Sequence, residues 1–208
     1  MKTANDVLAM LKEKDVKFVD LRFTDTKGKM QHVTADVSCV DDALFTDGYA
    51  FDGSSIAGWK SIEASDMLLM PDPTSAHIDP FFAQTTMALF CDVLEPSTGE
   101  MYERDPRSIA KKAEAYMQSL GLGDRVYFGP EAEFFIFDDV RFVTDMYNVG
   151  FKVDCTEQPT NTNTAYEMGN LAHRPRDKGG YIPEPPNDSA QDIRSEMLSV
   201  LTEKGVDV

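Results

Sequence analysis

The run Gly129-Pro130-Glu131-Ala132-Glu133-Phe134-Phe135-Ile136-Phe137-Asp138 limits what this chain can become more than any other stretch. It sets two carboxylates at the head of the most hydrophobic run in the sequence. Short length, aromatic and β-branched content and a preceding Gly-Pro predict a largely buried β-strand. Strand side chains alternate with period two, which places Glu131 and Glu133 on one face, roughly 6–7 Å apart. Two anions that close to a buried surface repel each other and lose hydration unless a cation sits between them. One reading is therefore a divalent-metal site. The other is a strand end that protrudes into solvent with both glutamates simply hydrated.

Upstream, Thr3 and Asp6 mark a helix start, and Val7, Leu8, Met10 and Leu11 give that helix an apolar side. Lys17–Phe23 and Lys29–Val37 are strand-like, and Asp25-Thr26-Lys27-Gly28 between them predicts a hairpin turn. Ser38–Asp47 has room for one or two helical turns ending at Gly48. The segment Phe51-Asp52-Gly53-Ser54-Ser55-Ile56-Ala57-Gly58-Trp59 follows, rich in glycine and small hydroxyls and holding the single tryptophan. A carboxylate, two hydroxyls and free backbone N–H groups beside an aromatic surface can form a small ion pocket. They can equally form a serine-capped Asp-Gly turn with Trp59 anchored in the core or at a subunit contact. Thr85–Val93 is a further strand-like run, so the chain to this point is mostly β.

The character changes at Asp105. Asp105-Pro106 is an N-cap followed by proline at the first helical position, Gly121 supplies the stop, and Ile109, Ala113, Tyr116, Met117 and Leu120 form a stripe expected to be buried. The domain boundary is accordingly placed there, giving domains 1–104 and 105–208. Phe142–Val153 predicts a second hairpin through Asn148–Gly150. The polar stretch 156–187 carries Arg174, Arg176 and Lys178, a basic island suited to an anion or to solvent. Asp188 or Ser189 then caps a helix made amphipathic by Ile193, Met197, Val200 and Leu201 and ended by Gly205. A new apolar run begins at Val206, and two glutamates are too few ligands for a metal, so the chain reads as an amino-terminal fragment of a longer protein.

Charge narrows the function classes. With 36 acidic against 20 basic Lys and Arg residues, the net charge of −16 opposes binding to phosphate backbones. Apolar runs are too short to span a bilayer and the first residues lack a signal-peptide core, which points to the cytosol and to no membrane partner. Cys39, Cys91 and Cys155 lack disulfide or zinc spacing and read as small buried hydrophobes in a reducing compartment. No Walker or GxGxxG fingerprint is present.

Three motifs, in order, resemble one family. Phe51-Asp52-Gly53-Ser54-Ser55 with Gly58-Trp59 and Ala64-Ser65-Asp66-Met67-Leu68-Leu69 is similar to the amino-terminal signature of the glutamine synthetases. Gly129-Pro130-Glu131-Ala132-Glu133-Phe134-Phe135 resembles their metal-binding strand. His173-Arg174-Pro175, Gly179-Gly180-Tyr181, Pro183-x-Pro185-Pro186 and Asp188-Ser189-Ala190-Gln191-Asp192-Ile193-Arg194 are similar to the segment that follows. Within the family the resemblance is to the bacterial type I enzymes. Met168 departs from the family pattern where a glycine is usual, as do Ile182, Glu184 and Asn187 where an aromatic and two aliphatics are usual.

The resemblance implies an α+β fold, an amino-terminal β-grasp domain followed by the first part of the catalytic α/β domain. It implies ATP-dependent joining of ammonium to the side-chain carboxylate of glutamate through γ-glutamyl phosphate. It makes Asp52 the residue that binds and deprotonates ammonium, with Ser55 and Tyr181 beside it, and Trp59 a support of the subunit contact. Glu131 and Glu133 become ligands of two Mg2+ or Mn2+ ions, Glu133 on the glutamate side and Glu131 on the phosphate side. It further implies a homo-oligomer, a dodecamer, in which the Asp52 loop reaches a neighbour's site, so that the fragment alone is inactive. A relative that makes γ-glutamyl amides from polyamines, and a non-catalytic assembly or regulatory protein, are the alternatives.

Overall fold

Residues 2–155 and 179–208 are described by a computed structural model, in which the chain divides into two compact units, Met1–Phe128 and Gly129–Val208. The first unit opens with helix α1 (Ala4–Glu13), whose start is a capping box: the Thr3 hydroxyl accepts from the Asp6 N–H while the Asp6 carboxylate accepts from the Thr3 N–H. Val7 and Leu11, one turn apart, bury the inner face of α1.

Strands β1 (Phe18–Thr24) and β2 (Met30–Asp36) form the expected hairpin, closed by a turn in which the Asp25 N–H donates to Lys29 O and Gly28 takes φ +81°. Strand β3 (Tyr49–Asp52), β4 (Asp66–Pro71), β5 (His77–Asp79) and β6 (Thr86–Leu94) complete the sheet, in order β2-β1-β6-β4-β3 with β5 also on β6. β1 and β6 run parallel, Phe18 opposite Thr86 and Arg22 opposite Phe90, while the remaining pairs are antiparallel. The central strands carry the core: Val19, Leu21 and Phe23 alternate on β1 and meet Met67, Leu69, Met87 and Leu89. Each such side chain contributes about 1.5–3 kcal/mol through burial.

β4 and β5 lie in a region for which the sequence patterns indicate no strand. The Ser38–Asp47 turns appear as a 3₁₀ turn at Val37–Cys39 and helix α2 (Ala43–Thr46). Cys91 is buried as expected, but Cys39 is exposed on that turn.

Helix α3 (Pro106–Ser119) starts where the Asp105-Pro106 signal placed it. Asp105, wholly buried, accepts from the Arg107 and Ser108 N–H groups and from the Ser108 hydroxyl at 2.7 Å. Arg107 ties the helix to the sheet by bridging Asp92, at 2.8 Å, and Asp72. The stripe expected to be buried is instead open: Ile109, Tyr116 and Leu120 are exposed, because no described element of the first unit covers that side of α3.

In the second unit, β7 (Asp139–Thr144) and β8 (Val149–Asp154) form a second hairpin, but it turns at 145–148, where the Asp145 carboxylate accepts from the Tyr147 and Asn148 N–H groups, rather than at Asn148–Gly150, since Val149 and Gly150 already pair in β8. Helix α4 (Gln191–Glu203) follows and stops before Gly205 at φ +82°. Its cap position is Ala190, with Asp188 two residues earlier accepting from the Ala190 N–H and the Arg194 guanidinium. No helix among the described residues is long and apolar enough to cross a membrane.

Candidate functional site

Asp52 closes β3 and caps a 3₁₀ turn over Gly53–Ser55. Its Oδ1 accepts from the Ser54 N–H at 2.8 Å and the Ser54 hydroxyl at 2.6 Å. The Ser54 hydroxyl first, then the Ser54 N–H, hold the carboxyl below its ordinary range, with Ser65 and Ser55 adding to the effect. Asp52 therefore stays ionised near neutral pH and is exposed at the end of the strand. A carboxylate stabilised in this way is held in its charged form, which suits it to hold a cation.

The local sequence produces this geometry for two reasons. Asp is a favoured cap because its short side chain reaches the N–H two residues on. Gly53 is required because the chain passes directly over the core, its N–H donating to Ser65 O at 2.7 Å. Behind the loop, Trp59 is buried against Phe23 and Tyr102, at ring-centroid distances of 5.5 and 5.2 Å. Trp59 thus packs inside its own unit.

Glu131 and Glu133 lie together on the segment 129–137, in the second unit. Both are exposed, and the segment is not paired into a sheet, contrary to the buried strand expected. A strand is defined by a ladder, and no described strand pairs with this run; its apolar side chains Phe134 and Phe135 are open as well. The chain nevertheless keeps a two-residue alternation locally, since Phe135 and Phe137 stack with centroids 5.8 Å apart. The end of the segment is tied to β8, where the Asp138 N–H donates to Asp154 O at 2.8 Å and the Cys155 thiol lies against Ile136 O.

Tyr181 is 92% exposed in the second unit, beyond the stretch 156–178. Arg174, Arg176, Lys178 and Met168 lie outside the described residues. Among the described residues no three His, Cys, Asp or Glu side chains gather closely enough to hold an ion. The structure thus places Asp52 and Ser55 on one loop and Glu131 and Glu133 on one segment, and carboxylate oxygens are the donors that Mg2+ and Mn2+ favour. A cleft of about 420 Å³ beside α3, lined by Arg107, Lys111 and Phe128 among others, contains none of these residues.

Comparison with known proteins decides the family. Residues 15–96 match "Glutamine synthetase, beta-Grasp domain" and residues 103–208 match "Glutamine synthetase, catalytic domain". The chain belongs to the glutamine synthetase family. It is 66% identical over 208 residues to a glutamine synthetase of Rhizobium meliloti, covering 100% of this chain and 44% of that protein. It is 59% identical over 203 residues to a 3-hydroxylaminophenol mutase of Cupriavidus pinatubonensis, covering 98% of this chain and 43% of that protein. In structure it resembles a Plasmodium falciparum glutamine synthetase, with a TM-score of 0.84 at 22% identity, over 100% of this chain and 41% of that one. The mixed sheet of the first unit is the family's β-grasp domain, and the α+β class expected from sequence is borne out. The chain spans less than half the length of the curated relatives it matches.

Sequence reading singled out the Asp52 loop but not what holds it. Tyr102, Arg104 and Glu95 reach the loop from more than thirty positions away. No local pattern signals such contacts.

Proposed function

We propose that the protein containing this chain joins ammonium to the side-chain carboxylate of glutamate at the expense of ATP. The glutamate carboxylate attacks the γ-phosphoryl group, ADP leaves, and ammonia then displaces phosphate from γ-glutamyl phosphate to give glutamine. The observation that carries this reading is the succession of both glutamine synthetase domains along the chain, with 66% identity to the Rhizobium meliloti glutamine synthetase.

The residues present fit their roles chemically. Asp52, ionised and exposed, attracts ammonium and accepts the proton it releases, with Ser55 and Tyr181 beside it. Glu131 and Glu133 supply carboxylates to two Mg2+ or Mn2+ ions, Glu133 on the glutamate side and Glu131 on the phosphate side. Such ions neutralise phosphate charge during phosphoryl transfer. The Asp52 loop serves a neighbouring subunit in a homo-oligomer, a dodecamer, in the cytoplasm, and residues 1–208 alone are inactive. The domain boundary is placed at 104/105, which falls inside the first compact unit, where Arg107 holds α3 to the sheet.

The test is glutamate- and ammonium-dependent ADP release by the longer protein, with Glu133→Ala assayed alongside. Activity that needs both substrates and falls at least a hundredfold in the variant is expected. Full activity in Glu133→Ala sinks the metal assignment, and faster turnover with a polyamine than with ammonium sinks the choice of acceptor.

A further inference from the structure

The Asp52 loop is held at both ends. At its start the Gly53 N–H donates to Ser65 O at 2.7 Å. From there a relay of backbone hydrogen bonds runs forward: the Ile56 N–H donates to Gly53 O at 3.2 Å and the Trp59 N–H donates to Ile56 O at 3.1 Å. The relay ends on Trp59 O, which accepts from the buried Tyr102 hydroxyl at 2.9 Å. The preceding carbonyl, Gly58 O, accepts from Arg104 Nη1 at 2.6 Å. The following residue, Lys60, pairs with Glu95 and lies over the Tyr102 ring, 5.2 Å from its centroid. Three consecutive loop residues are thus bound from one segment, Glu95–Arg104.

That segment is itself anchored. The Tyr102 N–H donates to Val93 O of β6 at 2.8 Å, and Tyr102 O accepts from the N–H of Asp105, the buried cap of α3, at 3.2 Å. Aromatic packing parallels the hydrogen bonds, since Tyr102 meets Trp59 edge-on and Trp59 meets Phe51, the residue before Asp52, at 6.3 Å.

We infer that Glu95–Arg104 is a brace that sets the position of Asp52 and Ser55, with Tyr102 as its central positioning residue, and that it thereby tunes affinity for ammonium. The inference rests on the reading of Asp52 as the ammonium-binding carboxylate. Tyr102 is buried and acts by keeping the relay from Trp59 to Gly53 in register. A loop released at Trp59 samples more conformations, and the fraction with Asp52 correctly placed falls, which weakens apparent binding by that fraction.

Steady-state kinetics of the longer protein tests this with Tyr102→Phe, which keeps the ring and deletes the donor. The KM for ammonium is expected to rise about three- to tenfold, the effect of one lost hydrogen bond. KM for glutamate and ATP should stay within about twofold. Arg104→Gln, at an exposed position, is expected to raise the ammonium KM in the same selective way. Asp52→Asn is assayed in parallel. If Asp52→Asn raises the ammonium KM and neither brace variant does, the brace is overturned while the reading of Asp52 stands. If Asp52→Asn leaves it unchanged, the reading of Asp52 fails and the brace with it. A lower melting temperature with all three KM values unchanged in both brace variants reduces Tyr102 to a purely structural residue and overturns the inference.

Discussion

Gly53 lies over the thioether of Met67 so closely that an added Cβ would stand 2.5 Å from Sδ, 2.8 Å from Cγ and 3.1 Å from Ser65 O. Met67 is fully buried in the sheet core and cannot swing into solvent, and the carbonyl of Ser65 is fixed by its bond from the Gly53 N–H. Gly53→Ala is therefore expected to destabilise the protein by about 1–3 kcal/mol, the range for overpacking. Thermal melts of Gly53→Ala, Met67→Ala and the double variant check it. The double variant should be less destabilised than the two single losses combined, because the shortened side chain makes room for the new methyl. Simple additivity would mean that the clash is relieved elsewhere.

Ser54 holds the Asp52 carboxyl below its ordinary range. Its hydroxyl and N–H both donate to Asp52 Oδ1, and the hydroxyl is the larger of the two influences holding the carboxyl below its ordinary range. Ser54→Ala keeps the N–H and removes the hydroxyl, so the Asp52 carboxyl should titrate at higher pH than in the parent. A carbon-detected NMR titration of Asp52 reads this directly. An unmoved titration would show that the N–H alone sets the carboxylate.

A second prediction on charge concerns Asp20, 1% exposed on β1. His32 Nδ1 lies 2.6 Å from its Oδ1, the Thr34 hydroxyl donates to the same oxygen at 2.7 Å, and Arg22 Nε donates to Oδ2 at 2.7 Å, with Arg22 Nη2 reaching on to Asp79 at 2.7 Å. Burial pushes the Asp20 carboxyl up, but the bonds from His32, Arg22 and Thr34 outweigh it and hold the carboxyl below its usual range. A depressed carboxyl contributes stability that is fully present above its unfolded value of about 3.9 and is lost as pH falls through the folded value. Asp20→Ala leaves Arg22 with Asp79 alone and the Thr34 hydroxyl without its acceptor, and should cost about 1–3 kcal/mol at neutral pH. Denaturant melts should show that gap narrowing below about pH 4. A gap constant down to pH 2 would assign the loss to packing instead.

The amino-terminal half was legible because its signals are local. The Thr3/Asp6 box, the Asp25–Gly28 turn between alternating strands and the Asp105-Pro106 start each act within a few residues, and each lies where the pattern placed it. β4 was missed because Pro71 and Pro73 crowd its end, and β5 because three residues carry no period. The segment 129–137 shows the reverse failure. Its composition is that of a buried strand, yet strand formation is a property of pairs, and among the described residues no strand pairs with it. The open stripes on α3 and on α4, where Ile193 and Met197 are exposed, reflect the same dependence on partners, since periodicity reports which face is apolar but not what covers it. The candidate site divides likewise: the motifs pointed to Asp52, Ser55, Glu131, Glu133 and Tyr181, but the contacts that hold the Asp52 loop are long-range and left no motif.

The two glutamates of segment 129–137 open a last prediction, which separates hydrated carboxylates from metal ligands. Glu131 and Glu133 are exposed on one segment, and the stacking of Phe135 on Phe137 shows that alternate side chains there share a side. Exposed carboxylates with no further ligands bind divalent ions weakly, because Mg2+ and Mn2+ require about six oxygens in near-octahedral array. If Glu131 and Glu133 are ligands in the longer protein, residues elsewhere complete the set and each glutamate becomes hard to replace. Glu131→Gln and Glu133→Gln, which keep size and one oxygen but remove the charge, should then each weaken Mn2+ binding by at least about tenfold, or 1.4 kcal/mol. Titration calorimetry of the longer protein measures this without turnover. Hydrated carboxylates would lose less than about twofold, since exposed charges contribute little in water.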